Sequence, residues 1–140
     1  KDCEKVILFA ATLGSQVDVL LQRYGKIQMS RAVVLQAAPV AMLETFCDEK
    51  NEALKQEYLE AGWYLRPRFS PGYGDFPLEC QRQLVPALEL GKRIGVTLTD
   101  SLLMAPSKSV TAVIGASRLP RNCSVQGCEA CGKKDCAYRR

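Results

Sequence analysis

Val6-Ile-Leu-Phe-Ala-Ala-Thr12 is a short, continuous apolar run that ends just before Gly14. A run of this length bounded by a glycine is typical of a buried β-strand or of a hydrophobic segment that enters the core. Two later stretches, residues 93–99 and 109–114, are rich in β-branched side chains and predict further strands. The segment 104–108 between them contains a proline and predicts a turn. Together these stretches predict a mostly antiparallel sheet.

Two helices are predicted after the first strand. The first begins at Ser15, with Asp18 placed as in a capping box, and ends at Gly25. The second covers residues 30–60. Its first part, 32–43, is apolar almost all round and is expected to be buried, whereas its charged second half is expected to be solvated.

The rest of the body has less regular patterns. Residues 63–69 are expected to be extended, residues 70–75 have the glycine and proline content of a loop, and residues 75–91 predict a helix. The predicted fold class is α+β, with helices flanking the sheet. We expect this body to occupy residues 1–117 and a small cysteine-rich tail to occupy residues 118–140.

The amino-acid composition excludes several kinds of catalytic and metal site. The chain has 140 residues, no histidine and seven cysteines. The absence of histidine excludes Ser-His and Cys-His nucleophile pairs, HExxH zinc sites and imidazole ligands from this chain. Cysteine is then the only soft metal ligand, and carboxylates are the candidate general bases. The whole formal net charge of +4 arises in the tail, so the body is electrically neutral.

The tail has the clearest chemical pattern, a C-x4-C-x2-C-x4-C spacing formed by Cys123, Cys128, Cys131 and Cys136. Four thiolates so close together suit one tetrahedral Zn²⁺ or one iron–sulfur cluster, and nearby basic residues would offset their excess negative charge. The spacing does not distinguish zinc from a cluster. The alternatives are a disordered tail with reduced cysteines and, less favoured in a reducing compartment, disulfides. The other cysteines, Cys3, Cys47 and Cys80, are expected to be small buried residues.

A second chemical pattern is Arg68-Phe-Ser-Pro-Gly-Tyr-Gly-Asp-Phe-Pro77. Arg68 offers a planar fork for a carboxylate, the Pro-Gly turn exposes peptide groups, and Tyr73 offers a ring face or a hydroxyl. Such a loop suits a small ligand that carries both a carboxylate and an aromatic base. A surface turn with an arginine salt bridge is the alternative.

Two further stretches accompany this loop in a fixed order, Leu8-Phe-Ala-Ala-Thr-Leu-Gly14 before it and Arg93-Ile-Gly-Val-Thr-Leu-Thr-Asp-Ser-Leu-Leu-Met-Ala-Pro-Ser-Lys-Ser-Val110 after it. The three together resemble the activation (reactivation) domain of cobalamin-dependent methionine synthase, whose S-adenosylmethionine-binding signature is R-x-x-x-G-Y. The resemblance covers about residues 5–116 and is strongest to stand-alone homologues that end in a cysteine-rich tail. That family usually has a further N-terminal helical segment, so we expect that Lys1 is not the native start.

The resemblance implies a reactivation role. In these methyltransferases cob(I)alamin occasionally oxidises to inactive cob(II)alamin, and one-electron reduction by a flavodoxin- or ferredoxin-like donor is trapped by methyl transfer from S-adenosylmethionine. The chain would then be an accessory component that supplies no catalytic nucleophile of its own. No corrinoid-binding D-x-H-x-x-G motif occurs, so the cobalamin would belong to a partner, a corrinoid-binding methyltransferase module. The tail would be a docking element or, if it holds a cluster, an electron relay.

The same resemblance implies the ligand-binding residues. They are Arg68 for the methionine carboxylate, Ser70, Pro71 and Gly72 for backbone contacts, Tyr73 at the close of the motif, and Glu44, which matches a helical glutamate that faces the ligand. The acidic contact that the family draws from its N-terminal segment has no counterpart in this sequence.

Two other interpretations are open. A non-catalytic module with a zinc-knuckle tail would bind nucleic acid or protein, but nucleic acid is disfavoured because Tyr138 is the tail's only aromatic residue. A structural remnant without a ligand is the third interpretation. No apolar run is long enough to span a membrane and no signal peptide is present, so a cytoplasmic location without membrane contact is expected.

Overall fold

The computed structural model describes residues 2–120, and its centre is a long antiparallel strand pair. Strand β1, Lys5–Thr12, pairs along its whole length with β5, Ser109–Ser117, so that Phe9 lies opposite Ala112. Strand β2, Tyr64–Leu65, pairs with the other edge of β5 and gives the order β1-β5-β2. As the central strand, β5 is the most buried of the three. The α+β prediction with a mostly antiparallel sheet is confirmed.

Two antiparallel helices follow β1. Helix α1 covers Gln16–Ile27, and helix α2 covers Met29–Glu60, continuing through Pro39. The buried stripe of α2 is Pro39, Leu43 and Cys47, at the i, i+4 spacing that puts side chains on one helix face. Leu43 and Cys47 of this stripe pack against Ala11 of β1. The predicted helix over residues 30–60 is therefore confirmed.

Three details of the helical hairpin differ from the sequence expectations. The first half of α2 is buried only along this stripe, since Val33, Val34 and Met42 are largely exposed. Apolar composition does not decide burial here, because only one side of the helix meets the sheet. Helix α1 continues past Gly25, and the side chain of Ser15 makes no cap hydrogen bond.

The second half of the body is less regular than predicted. A 3-10 turn, Leu78–Cys80, leads into α3, Gln81–Ala87, and α4 covers Leu90–Arg93. The single predicted helix is divided there because Glu89, between α3 and α4, adopts a left-handed backbone conformation. A separate two-stranded sheet follows, formed by β3, Thr97–Leu98, and β4, Met104–Ala105.

The cysteines have different surroundings. Cys47 is fully buried, as expected, whereas Cys80 is partly buried and Cys3 is exposed, so the expectation was wrong for Cys3. The predicted metal ligands, Cys123, Cys128, Cys131 and Cys136, lie outside the described residues. Within residues 2–120 no helix is long and apolar enough to cross a membrane.

Candidate functional site

The loop that begins at Arg68 is fastened to the central strand. Phe69 and Val113 of β5 exchange both backbone hydrogen bonds, at N···O distances of 2.9 and 2.8 Å. Beyond this bridge the chain turns back, and the amide of Gly72 donates to the carbonyl of Phe76 at 2.8 Å. Gly72 has φ +93°, a conformation that side chains strongly disfavour, so a glycine is required at this turn. The sheet therefore fixes the direction in which Arg68 leaves the backbone.

Arg68 reaches across to helix α2, where two carboxylates meet it. Its Nη2 donates to Glu44 Oε2 at 2.7 Å and to Asp48 Oδ1 at 2.9 Å. The Arg68 side chain is only 14% exposed, whereas both carboxylates are largely open to solvent. Burial by itself would lower the pKa of Arg68, but the hydrogen bonds that Arg68 donates to Glu44 and Asp48 outweigh it and raise the pKa above its usual value. The guanidinium is thus a fixed cation, and within residues 2–120 its Nη1 and Nε atoms make no hydrogen bond.

A cavity of about 630 Å³ opens beside this cluster, and we call it the Arg68 cavity. One face of α2 forms a wall with Glu44, Asp48, Asn51 and Lys55, which are spaced at helical intervals. The opposite wall is formed by the loop and the strand before it, through Leu65, Pro67, Arg68, Phe69, Ser70 and Tyr73.

The charged groups of the Arg68 cavity suit a ligand that carries both a carboxylate and an ammonium group. The Oδ1 atom of Asn51 is buried and has no hydrogen-bond partner. Lys55 is already engaged by Glu52 at 2.9 Å, an interaction that lowers the pKa of Glu52. Two carboxylates then face one guanidinium, so the site pairs a cation with surplus negative charge. Such a site can bind a ligand carboxylate and a ligand ammonium side by side.

The structure brings most of the residues predicted from sequence together. Arg68, Ser70, Tyr73 and Glu44 line the Arg68 cavity. Pro71 lines an adjoining cavity instead, together with Ser70 and Tyr73. Gly72 lines neither of these two cavities and shapes the turn.

Sequence reasoning missed Asp48 and Asn51. Both follow Glu44 at helical spacing, at i+4 and i+7, so they share its face of α2. Because Glu44 was already a candidate ligand-binding residue, this helical spacing could have predicted that Asp48 and Asn51 lie beside it.

No group of three or more cysteine, aspartate or glutamate side chains in the described part of the chain is placed to hold a metal ion.

Comparison with known proteins identifies the family. The family described as "Vitamin B12 dependent methionine synthase, activation domain" matches residues 4–140. No curated protein matches the sequence. The crystal structure of the MetH reactivation domain bound to AdoHcy matches 86% of this chain with a TM-score of 0.69 and 21% sequence identity, and it shows that the fold is shared. This chain spans 42% of that structure's length. Because the family match covers nearly the whole sequence, the chain belongs to the activation-domain family of vitamin B12-dependent methionine synthases.

Proposed function

We propose that this chain binds S-adenosylmethionine in the Arg68 cavity and supports reductive methylation of a cobalamin carried by a separate corrinoid-dependent methyltransferase. Two findings support the proposal, the family membership and the AdoHcy bound to the structurally similar MetH reactivation domain. The observation that carries it is the contact of one guanidinium, Arg68, with two carboxylates, Glu44 and Asp48, at the wall of a cavity large enough for such a ligand.

The residues of the Arg68 cavity fit the charges of this ligand. Arg68 would hold the α-carboxylate through its Nη1 and Nε donors. Glu44 and Asp48 would hold the α-ammonium, and their surplus negative charge also favours a sulfonium. Asn51 Oδ1 lacks a hydrogen-bond donor, which the exocyclic amine of adenine can provide. Ser70 and Tyr73 lie on the opposite wall, where they would confine the rest of the ligand.

In this function the chain acts by positioning. When bound, S-adenosylmethionine supplies an electrophilic methyl group for the reduced cobalt of the partner. Arg68, Glu44 and Asp48 anchor the amino-acid end, so the methyl group is presented in one orientation. The electron would come from a separate flavodoxin- or ferredoxin-like donor.

Calorimetry tests the binding step. S-Adenosylmethionine and S-adenosylhomocysteine are titrated into the 140-residue chain and into the Arg68→Ala variant. Loss of the charge-assisted hydrogen bonds should weaken both ligands at least about 10-fold. Arg93→Ala is the matched control, because Arg93 is largely exposed and lies on α4 outside the cavity. Equal affinity in wild type and Arg68→Ala would overturn the proposal, provided that circular dichroism shows both to be folded.

We further propose that Cys123, Cys128, Cys131 and Cys136 hold one Zn²⁺ or one iron–sulfur cluster, because four thiolates at this spacing can converge on one centre. A cluster should absorb near ~400 nm in anaerobically purified protein, whereas zinc should not. If the tail is an electron relay, changing Cys128 and Cys131 to serine should abolish reactivation and spare S-adenosylmethionine binding. Unchanged reactivation would contradict the relay.

A further inference from the structure

Strand β1 forms a free edge of the main sheet. In the order β1-β5-β2, both sides of β5 are occupied, by β1 on one side and by β2 and Phe69 on the other. Strand β1 pairs with β5 alone, and no other segment of residues 2–120 pairs with its outer side. At eight residues, Lys5–Thr12, it is longer than the very short edge strands by which proteins avoid unwanted pairing.

The backbone groups that β1 turns outward can be assigned from its partner strand. Val113 of β5 lies opposite Leu8, and both backbone hydrogen bonds of Val113 go to Phe69 on the far side of β5. Opposite residues of an antiparallel pair either bond to each other or both face away, so Leu8 directs its N–H and C=O groups outward. Alternation along the strand gives Val6 and Ala10 the same direction. Within residues 2–120 the backbone groups of these three residues have no partner.

The edge lacks the features that usually keep a free strand from pairing. Residues 6–12 contain no charged residue and no proline, and the ladder with β5 runs one residue against one, without a bulge. The side chains of Val6 and Leu8 are 62% and 37% exposed. They lie on the face of the sheet opposite to Ala11, which packs against α2. An apolar edge without protection indicates a strand that pairs with another chain.

We propose that β1 pairs antiparallel with β1 of a second copy of this chain, so that the two main sheets join into one continuous sheet. Leu8 would lie opposite Leu8 of the second copy, on the two-fold axis that relates the chains. Val6 of each chain would lie opposite Ala10 of the other. Each of these residue pairs can exchange two backbone hydrogen bonds, because the groups of all three residues face outward.

A second copy fits this edge because the register is self-complementary. Lys5 is the one charged residue of β1, and it would lie opposite Ala11 of the second copy, so no like charges meet across the pair. Ile7 would lie opposite Phe9 of the second copy, so apolar side chains meet on that face also. The body of the chain carries no net charge, which removes long-range repulsion between two copies.

The dimer contact and the Arg68 cavity lie on opposite sides of β5. The cavity is lined by Leu65 of β2 and by Phe69, both of which pair with β5 on the side away from β1. Pairing through β1 therefore leaves the cavity open in both copies. A single pair of edge strands is a small interface, so we expect a Kd on the order of 10 μM.

Sedimentation equilibrium of the 140-residue chain, over concentrations that bracket this Kd, tests the proposal. A reductant is present, because Cys3 is exposed and would otherwise be able to link two chains through a disulfide. The wild type should show a monomer–dimer equilibrium. Leu8→Lys should weaken dimerisation at least about 10-fold, because it places two ammonium groups opposite each other. Leu20→Lys on α1 is the matched control, since Leu20 is 38% exposed, and its dimerisation should equal that of the wild type.

A charge exchange tests the register itself. Leu8→Glu should also weaken dimerisation, because two carboxylates would then face each other. An equimolar mixture of Leu8→Lys and Leu8→Glu should associate more tightly than either variant alone, since opposite charges meet only if position 8 faces position 8. Circular dichroism checks that both variants are folded.

Amide hydrogen exchange of the wild type tests the same pairing without a substitution. The amides of Val6 and Leu8 should become protected as the protein concentration rises. The amide of Ile7 faces β5 and should be protected at every concentration. Exchange at Leu8 that does not depend on concentration would contradict the proposal.

Three sedimentation results would overturn the proposal. They are a wild type that stays monomeric throughout, equal weakening by Leu8→Lys and Leu20→Lys, and a mixture of the two Leu8 variants that associates no better than each alone. The second result would assign the contact to the helices instead. S-Adenosylmethionine should bind Leu8→Lys as it binds the wild type. Dimerisation is measured without that ligand, so failure of S-adenosylmethionine to bind any of these chains would remove only the previous proposal.

Discussion

Asp48→Asn tests whether the second carboxylate of the arginine cluster serves the ligand or only the fold. The substitution keeps the side-chain shape and removes the charge that lies 2.9 Å from Arg68 Nη2. The Asp48 side chain is 73% exposed, so its ion pair with Arg68 is largely screened by solvent. We therefore expect the free energy of unfolding to fall by less than about 1 kcal/mol.

The effect on binding should be selective for ligands that carry an ammonium group. Discounting for solvent exposure, loss of one carboxylate next to the α-ammonium should cost about 1 kcal/mol, or roughly five-fold in Kd. 5′-Methylthioadenosine lacks the amino-acid end, so its affinity should be the same in wild type and Asp48→Asn. The contrast between the two ligands separates the contacts with the ammonium and the sulfonium from any general change in the cavity.

Isothermal titration with both ligands measures this difference, and Glu49→Gln provides the control. Glu49 is the next residue on α2, is exposed, and does not line the Arg68 cavity. It changes the net charge by the same amount, so it reports any long-range electrostatic effect. The reasoning is refuted if Asp48→Asn and Glu49→Gln bind S-adenosylmethionine with equal affinity. It is also refuted if Asp48→Asn lowers the affinity for both ligands by the same factor.

Three further predictions concern stability. Gly72→Ala should lower the free energy of unfolding by about 1–2 kcal/mol in urea titrations, because φ is +93° and the new Cβ would lie 3.3 Å from Leu78 Cδ1; an unchanged midpoint would contradict the strain. Asp18→Asn should cost about 1 kcal/mol by loss of its charged contacts with Ser107, and Asp18→Ala should cost no less. Burial raises the pKa of the Cys47 thiol above its ordinary value of 9.0. The unfolded chain therefore ionises first, so stability should be intact below pH 9.0 and fall as the pH rises beyond it. Cys47→Ala should show a shallower decline than wild type in urea titrations, and an identical decline would contradict this.

The expectations about the fold that proved wrong concern which side of a helix is buried and where one element ends and the next begins. The first half of α2 has an apolar sequence on every side, but one helix can place only one side against a sheet. Residues 93–99 are β-branched, yet α4 extends to Arg93 and leaves only Thr97–Leu98 as a strand. Local propensity is a weak guide where neighbouring elements compete for the same residues.

The sequence by itself determined the α+β class, the long second helix, the loop at Arg68 and the spacing of the tail cysteines. Each of these rests on a pattern within a short segment, such as the run of apolar residues in β1 or the positions of glycine and proline. Such patterns do not depend on contacts between distant parts of the chain. Only the tertiary structure decided that Asp48 and Asn51 join Glu44 at the wall of the Arg68 cavity, because the bridge between Phe69 and Val113 sets where Arg68 meets α2. The adjoining cavity lined by Pro71 likewise arises from segments far apart in the chain, and no single stretch of sequence contains all the residues that line it.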